Sequence, residues 1–171
     1  MANIENILRN IQEIRAKNLR TLAVFDLDST LFNVCTRSQK MLNEFAEVFQ
    51  KPELKNIEIL PEDWGVKEAI FRAGYSIEKN SELLLKIRDF WAERFFSSPY
   101  LHYDVPYKGA INFVQDVFET GCAVYYLTGR DEKRMLKGTK EVLTKWGFPF
   151  KESDLFLKNT KDQDDELFKL E

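Results

Sequence analysis

Asp26 and Asp28 stand one residue apart at the end of an apolar run, in the stretch LAVFDLDSTL from Leu22 to Leu31. Two like charges this close are costly unless a cation, a proton or a phosphate-binding neighbour offsets them, so the pair asks for a metal. Leu22, Ala23, Val24 and Phe25 have the length and bulk of a strand buried on both faces. Residues two apart in a strand point the same way, so both carboxylates are expected to converge outside the carboxyl end of a sheet. Open α/β sheets bind ligands there. The alternative is an acidic turn whose Asp and Ser only cap a following helix.

A second stretch of the same shape weighs against that alternative. CAVYYLTGR, Cys122 to Arg130, is again an apolar strand breaking into Thr128, Gly129 and Arg130. Glycine at position 129 lets the backbone approach a ligand closely or take positive φ. Together the two stretches resemble the first two motifs of the haloacid dehalogenase-like superfamily of phosphotransferases, in which a hydrophobic strand runs into DxDx(T/V). Here that pattern reads Asp26, Leu27, Asp28, Ser29, Thr30, and Thr128 matches the hydroxyl of the second motif.

The resemblance implies roles for these residues. Asp26 would be the nucleophile that forms an aspartyl-phosphate, and Asp28 would protonate the leaving alcohol and then activate water. The Asp26 carboxylate and the Asp28 backbone carbonyl would bind Mg²⁺, an ion suited to hard oxygen ligands. Thr128 and nearby backbone N–H groups, including those around Gly129, would hold the phosphoryl oxygens. Arg130 is a familiar variant that either sits near the site or faces solvent and pairs with Glu132. The third motif is a lysine at the start of a helix. Lys158, at the end of the strand DLFLK, and Lys169, in DELFK, are both candidates, and position in the fold favours Lys169. The fourth motif, a further strand ending in acidic residues, is not found before Glu171, and Asp162, Asp164 and Asp165 follow no apolar run. Leu22 to Phe25 is therefore expected to form an open edge, with a missing C-terminal segment or a second chain completing the sheet.

The elements that must position these residues read as follows. Ile4, Ile7, Leu8, Ile11 and Ile14 recur at helical spacing and predict a first helix ending near Asn18. After Leu31 comes a long insertion, with helices expected at 36–49 and 61–74 around a connection at 52–60. A long amphipathic helix is then marked by Leu83, Leu84, Ile87, Phe90, Trp91 and Phe95. Its aromatics, among them Phe49, Trp64, Phe71 and Trp91, mostly serve a small core of the insertion's own. His102, the one histidine, could serve as a substrate contact, but a lone His at a cap hinge is more often an ordinary surface or core residue. Beyond it, Ile111, Val114, Val117 and Phe118 mark a helix ended by Gly121; Leu136, Leu143 and Trp146 mark another ended by Gly147; the strand DLFL follows at 154–157. This βαβαβ order predicts an α/β fold, a Rossmann-like three-layer core with a parallel sheet, plus a small all-helical cap. The expected division is 1–32 and 104–171 for the core and 33–103 for the cap.

Composition narrows the function. A chain of 171 residues, 44% hydrophobic and 31% charged, can bury one real core, and its net charge of -3 gives no general attraction to nucleic acid or to an anionic membrane surface. No apolar run is long enough to span a bilayer and no secretory signal is visible at the start, so a cytoplasmic setting is expected. Cys35 and Cys122 lack CxxC spacing and read as reduced thiols. With the resemblance, the expected activity is Mg²⁺-dependent hydrolysis of a small-molecule phosphomonoester. The rival is a non-catalytic phosphate- or partner-binding protein of the same fold, or an inactive fragment.

Overall fold

A computed structural model describes residues 4–63 and 65–170; Trp64, counted above among the insertion's aromatics, lies outside them. The chain divides into two compact units, Met1–Phe32 with Pro106–Glu171, and Asn33–Val105.

The first unit is α/β and Rossmann-like. Its parallel sheet has the order β1-β4-β5, built from β1 (Leu22–Phe25), β4 (Ala123–Asp131) and β5 (Leu155–Lys158). In the first ladder Leu22 faces Ala123 and Phe25 faces Tyr126; in the second Tyr126 faces Leu155 and Thr128 faces Leu157. Parallel neighbours need helical crossovers, and α6 (Ala110–Glu119) and α7 (Glu132–Trp146) supply them beside α1 (Ile4–Ala16). Gly121 and Gly147 both take positive φ, 79° and 76°, which suits glycine just past each helix end. Val114 and Val117 from α6, Val142 and Leu143 from α7, and Val124 and Tyr126 from β4 form one buried core with Leu27, Leu31 and Phe32. Phe25 meets Phe113 edge-on at 5.9 Å. As expected, β1 is an edge strand among the described residues, but it is not buried on both faces, since Leu22 and Val24 are each more than half exposed.

One orientation and one strand boundary differ from the sequence reading. β1 spans Leu22–Phe25 as read, but Asp26 and Asp28 lie beyond it, so strand alternation does not orient them. The turn after it does: the Leu27 carbonyl accepts from the N–H groups of Leu31 and Phe32, at 3.0 and 2.9 Å, with Ser29 at φ 59°. β4, by contrast, does not break at Thr128 but continues to Asp131, with a register shift after Thr128. Its burial alternates, so Thr128 and Arg130 fall on the same buried face as Val124 and Tyr126.

The second unit is helical. It contains α2 (Cys35–Val48), a 3₁₀ turn (Pro52–Asn56), α3 (Val66–Arg72), α4 (Ile77–Phe95) and α5 (Ser98–Leu101). The helix expected over 61–74 is thus shorter, because Pro61 and Glu62 turn and Gly65 bends before it begins at Val66, and α4 carries a non-helical residue, Asn80. Leu42, Phe45, Leu54, Ile70 and Ile87 make its separate core. At its base Arg37 and Asp104 form a fully buried ion pair, with Nε 3.0 Å from Oδ1, and the Arg37 guanidinium lies over the Phe95 ring. The short strands β2 (Phe32–Asn33) and β3 (Val105–Pro106) form a two-stranded ladder. No helix among the described residues is long and apolar enough to cross a membrane.

Candidate active site

The parallel register brings the two sequence stretches together: Phe25 sits beside Tyr126, and the chain then leaves β1 into Asp26 while β4 runs on through Leu127 and Thr128. There the first unit gathers most of the residues singled out by sequence. Asp26 Oδ1 accepts the N–H of Leu27 at 2.8 Å, and its Oδ2 lies 3.2 Å from the Nζ of Lys169. That ion pair closes a gap of 143 residues. Burial works against the Lys169 ammonium, but the hydrogen bonds and charges of Asp26 and Asp165 outweigh it and raise its pKa.

Lys169 reaches Asp26 from α8 (Asp165–Leu170), whose first turn is capped by the Asp164 carboxylate accepting the Leu167 N–H at 2.9 Å. Asp164 thus has a local structural partner. Asp165 bridges the two candidate lysines: Lys158 Nζ is 3.4 Å from its Oδ1 and Lys169 Nζ is 3.6 Å from its Oδ2. Lys158 therefore stands one carboxylate away from Asp26 in this chain of charges, and Lys169 touches it directly. The Asp165 carboxylate also lies against Gly129, so close that a Cβ at 129 would fall on it. This gives Gly129 a reason to be glycine that is neither positive φ nor ligand approach.

Asp28 is held differently. Its Oδ1 accepts from both Nε and Nη2 of Arg130, at 3.2 and 2.5 Å. Arg130 is buried, in place of the solvent-facing pairing with Glu132 that the sequence left open, and its Nη1 donates to the Thr139 hydroxyl at 3.2 Å. Thr128 is also buried, and its hydroxyl accepts the Arg130 N–H at 3.4 Å. Sequence reasoning missed Thr139 and the bridging role of Asp165. Thr139 carried a signal: it shares the buried face of α7 with Met135, Val142 and Leu143, and a hydroxyl among such residues needs a partner. The residue after Arg130, Asp131, caps α7 by accepting the Arg134 N–H at 3.0 Å, which fixes where β4 hands over to the helix.

The site is thus two carboxylates, each met by its own cation, beside a buried hydroxyl. Such an arrangement can present one carboxylate as a nucleophile and hold the other still. Among the described residues, no three His, Cys, Asp or Glu side chains come together as a ready metal cage. Mg²⁺ does not require one, since it takes one or two protein oxygens and fills the rest with water and phosphate. The Asp26 carboxylate, about one-third exposed, is a donor of that kind.

No family model and no curated protein matches the chain. Among solved structures it is similar to the class C acid phosphatase from Bacillus anthracis, at 14% identity and a TM-score of 0.45, over 98% of this chain and 56% of that one. The chain thus spans little more than half the length of that protein.

Proposed function

We propose that the protein is a phosphomonoester hydrolase of the haloacid dehalogenase-like type, with Asp26 as nucleophile. The observation that carries this reading is the Lys169–Asp26 pair at 3.2 Å, since it sets a cation against the one carboxylate that must approach an anionic phosphate. In the first step an Asp26 oxygen bonds to phosphorus as the bond to the leaving oxygen breaks, and Asp28 gives its proton to that oxygen. In the second, Asp28 takes a proton from water, whose oxygen bonds to phosphorus while the Asp26–phosphorus bond breaks. Thr128 and the backbone around Gly129 hold the equatorial oxygens, and Lys169 offsets their charge. Mg²⁺, held by the Asp26 carboxylate and the Asp28 backbone carbonyl, would supply further charge neutralisation. The helical unit, inserted between the two motif-bearing strands in sequence, fits the place where a substrate-selecting cap is expected.

A second reading, a non-catalytic phosphate binder, draws on the lack of a third acidic ligand among the described residues. One assay separates the two. Hydrolysis of an aryl phosphate is measured with Mg²⁺ and with a chelator, for the native protein and for Asp26→Asn. The hydrolase reading expects Mg²⁺-dependent turnover and a fall of about 10³-fold or more in Asp26→Asn, the scale of losing a nucleophile, at an unchanged thermal midpoint. Phosphate binding without turnover would favour the second reading. Full activity in Asp26→Asn would remove Asp26 from the nucleophile's role.

A further inference from the structure

We infer that Arg130 is a positioning residue for Asp28 and not a contact for the phosphate. This rests on the hydrolase reading above, in which Asp28 delivers the proton to the leaving oxygen.

The argument is geometric. A guanidinium is a rigid planar fork, and here two of its donors, Nε and Nη2, converge on the single oxygen Oδ1 of Asp28. Two donors on one oxygen restrict both the reach of the Asp28 side chain and the swing of its carboxyl plane. The third donor direction, Nη1, is tied to the Thr139 hydroxyl on α7 at 3.2 Å, so the fork cannot turn without breaking a contact to a second element. Both Arg130 and Thr139 are buried, at 1% and 0% exposure, whereas the Asp28 side chain keeps 27%. The clamp is therefore inside the protein and the clamped group opens outward. A residue meant to grip phosphate would be placed the other way round, with its donors toward solvent; the Lys169 side chain, for comparison, keeps 34% exposure.

The turn that carries Asp28 gives the clamp a purpose. Asp28 lies past the end of β1, in a tight reversal with Ser29 at positive φ, and the strand no longer dictates its direction. Arg130 sits on the adjoining strand, on the face fixed by the alternation of β4. It transfers the rigidity of the sheet and of α7 to a side chain that the turn alone would leave mobile. A misplacement of about 1 Å at a reacting group can cost about 10²-fold in rate, so such support has kinetic weight.

The test uses kcat/KM, which reports the steps only as far as transfer to Asp26, on two substrates: an aryl phosphate with a good leaving group and an alkyl phosphate with a poor one. Asp28→Asn should depress the alkyl substrate about 10²-fold more than the aryl one, because only the poor leaving group needs the proton. Arg130→Lys keeps the charge and loses the fork. It should lower kcat/KM in the same leaving-group-dependent sense, by about 10-fold or more on the alkyl phosphate, with KM little changed. On the aryl phosphate, where activity survives, the double variant Asp28→Asn with Arg130→Lys should lose no more than Asp28→Asn alone. Thr139→Val, which removes only the anchor of the fork, should show the same signature more weakly, and it keeps the test readable if Arg130→Lys folds poorly. Losses that add in the double variant, or a raised KM with an unchanged substrate ratio, would overturn the positioning role while leaving the hydrolase reading intact. A native protein that hydrolyses neither substrate would overturn the hydrolase reading and this role with it.

Discussion

Tyr126 shows how one residue couples the core to the solution around it. It lies in the middle of β4 with no exposed surface, and its hydroxyl donates to the Pro149 carbonyl at 3.0 Å. Burial, with a smaller contribution from the Asp154 charge, pushes the phenol well above its ordinary value of 10.0. The folded state therefore keeps Tyr126 neutral at pH values where the unfolded chain ionises. Its contribution to stability is complete below pH 10.0 and is lost progressively as pH rises beyond it. Tyr126→Phe removes both the hydrogen bond and the titration. Urea unfolding should show a loss of about 1 kcal/mol near neutral pH, the net worth of a typical hydrogen bond. Above pH 10.0 the decline of stability with pH should be shallower than in the native protein, by up to about 1.4 kcal/mol per pH unit. Parallel curves for the two proteins across that alkaline range would show that the phenol does not carry the linkage.

At the scale of elements, α8 is the least anchored part of the site. It has six residues and none is buried, so it depends on side-chain contacts: Asp165 against Gly129 of β4, and Lys169 on Asp26 beyond the end of β1. Gly129→Ala would place a methyl group on the Asp165 carboxylate. With a short, exposed helix on one side and the sheet on the other, the helix is the part that moves. The expected outcome is faster amide exchange over α8 with the thermal midpoint nearly unchanged and, on the proposed hydrolase reading, a fall of about 10-fold or more in turnover as Lys169 leaves Asp26. A large drop in the midpoint would place the strain in the sheet instead. Elements of this kind divide sharply in how legible they are. The apolar run from Cys122 and the helical spacing of Val114 and Val117 report burial against a continuous core, so a strand and a helix could be read from them; the run at Leu22 also read as a strand, though Leu22 and Val24 are exposed at the sheet edge. The placing of Asp26 and Thr128 side by side could be read for a related reason, since a polar residue closing an apolar run is conspicuous. The clamp from Arg130 to Asp28 could not be read, because it depends on β4 continuing past Leu127, where the composition turns polar and the strand signal ends. The bridge at Asp165 was hidden in a helix whose first-turn carboxylates already had a sufficient local explanation.

Over the whole molecule, the sequence of one unit is interrupted by another with its own core, and the inserted unit must close its two ends on itself. Arg37, near the start of α2, and Asp104, just before β3, do this as an ion pair with neither side chain exposed. Arg37 Nη1 also donates to the Phe95 carbonyl at 3.1 Å, tying in the end of α4. A buried pair of this kind adds little net stability compared with apolar residues that pack as well, because desolvating two charges offsets their attraction. Breaking it is another matter, since removing one partner strands the other charge where water does not reach. Asp104→Asn should therefore destabilise the helical unit by about 3–5 kcal/mol. Hydrogen exchange should place the lost protection within Asn33–Val105, in α2 and at the end of α4. Replacing both partners, Arg37→Met with Asp104→Asn, removes the stranded guanidinium and should recover part of that loss. If the double variant were no more stable than Asp104→Asn, losing the contact of the Arg37 guanidinium over the Phe95 ring would outweigh the relief of its uncompensated charge.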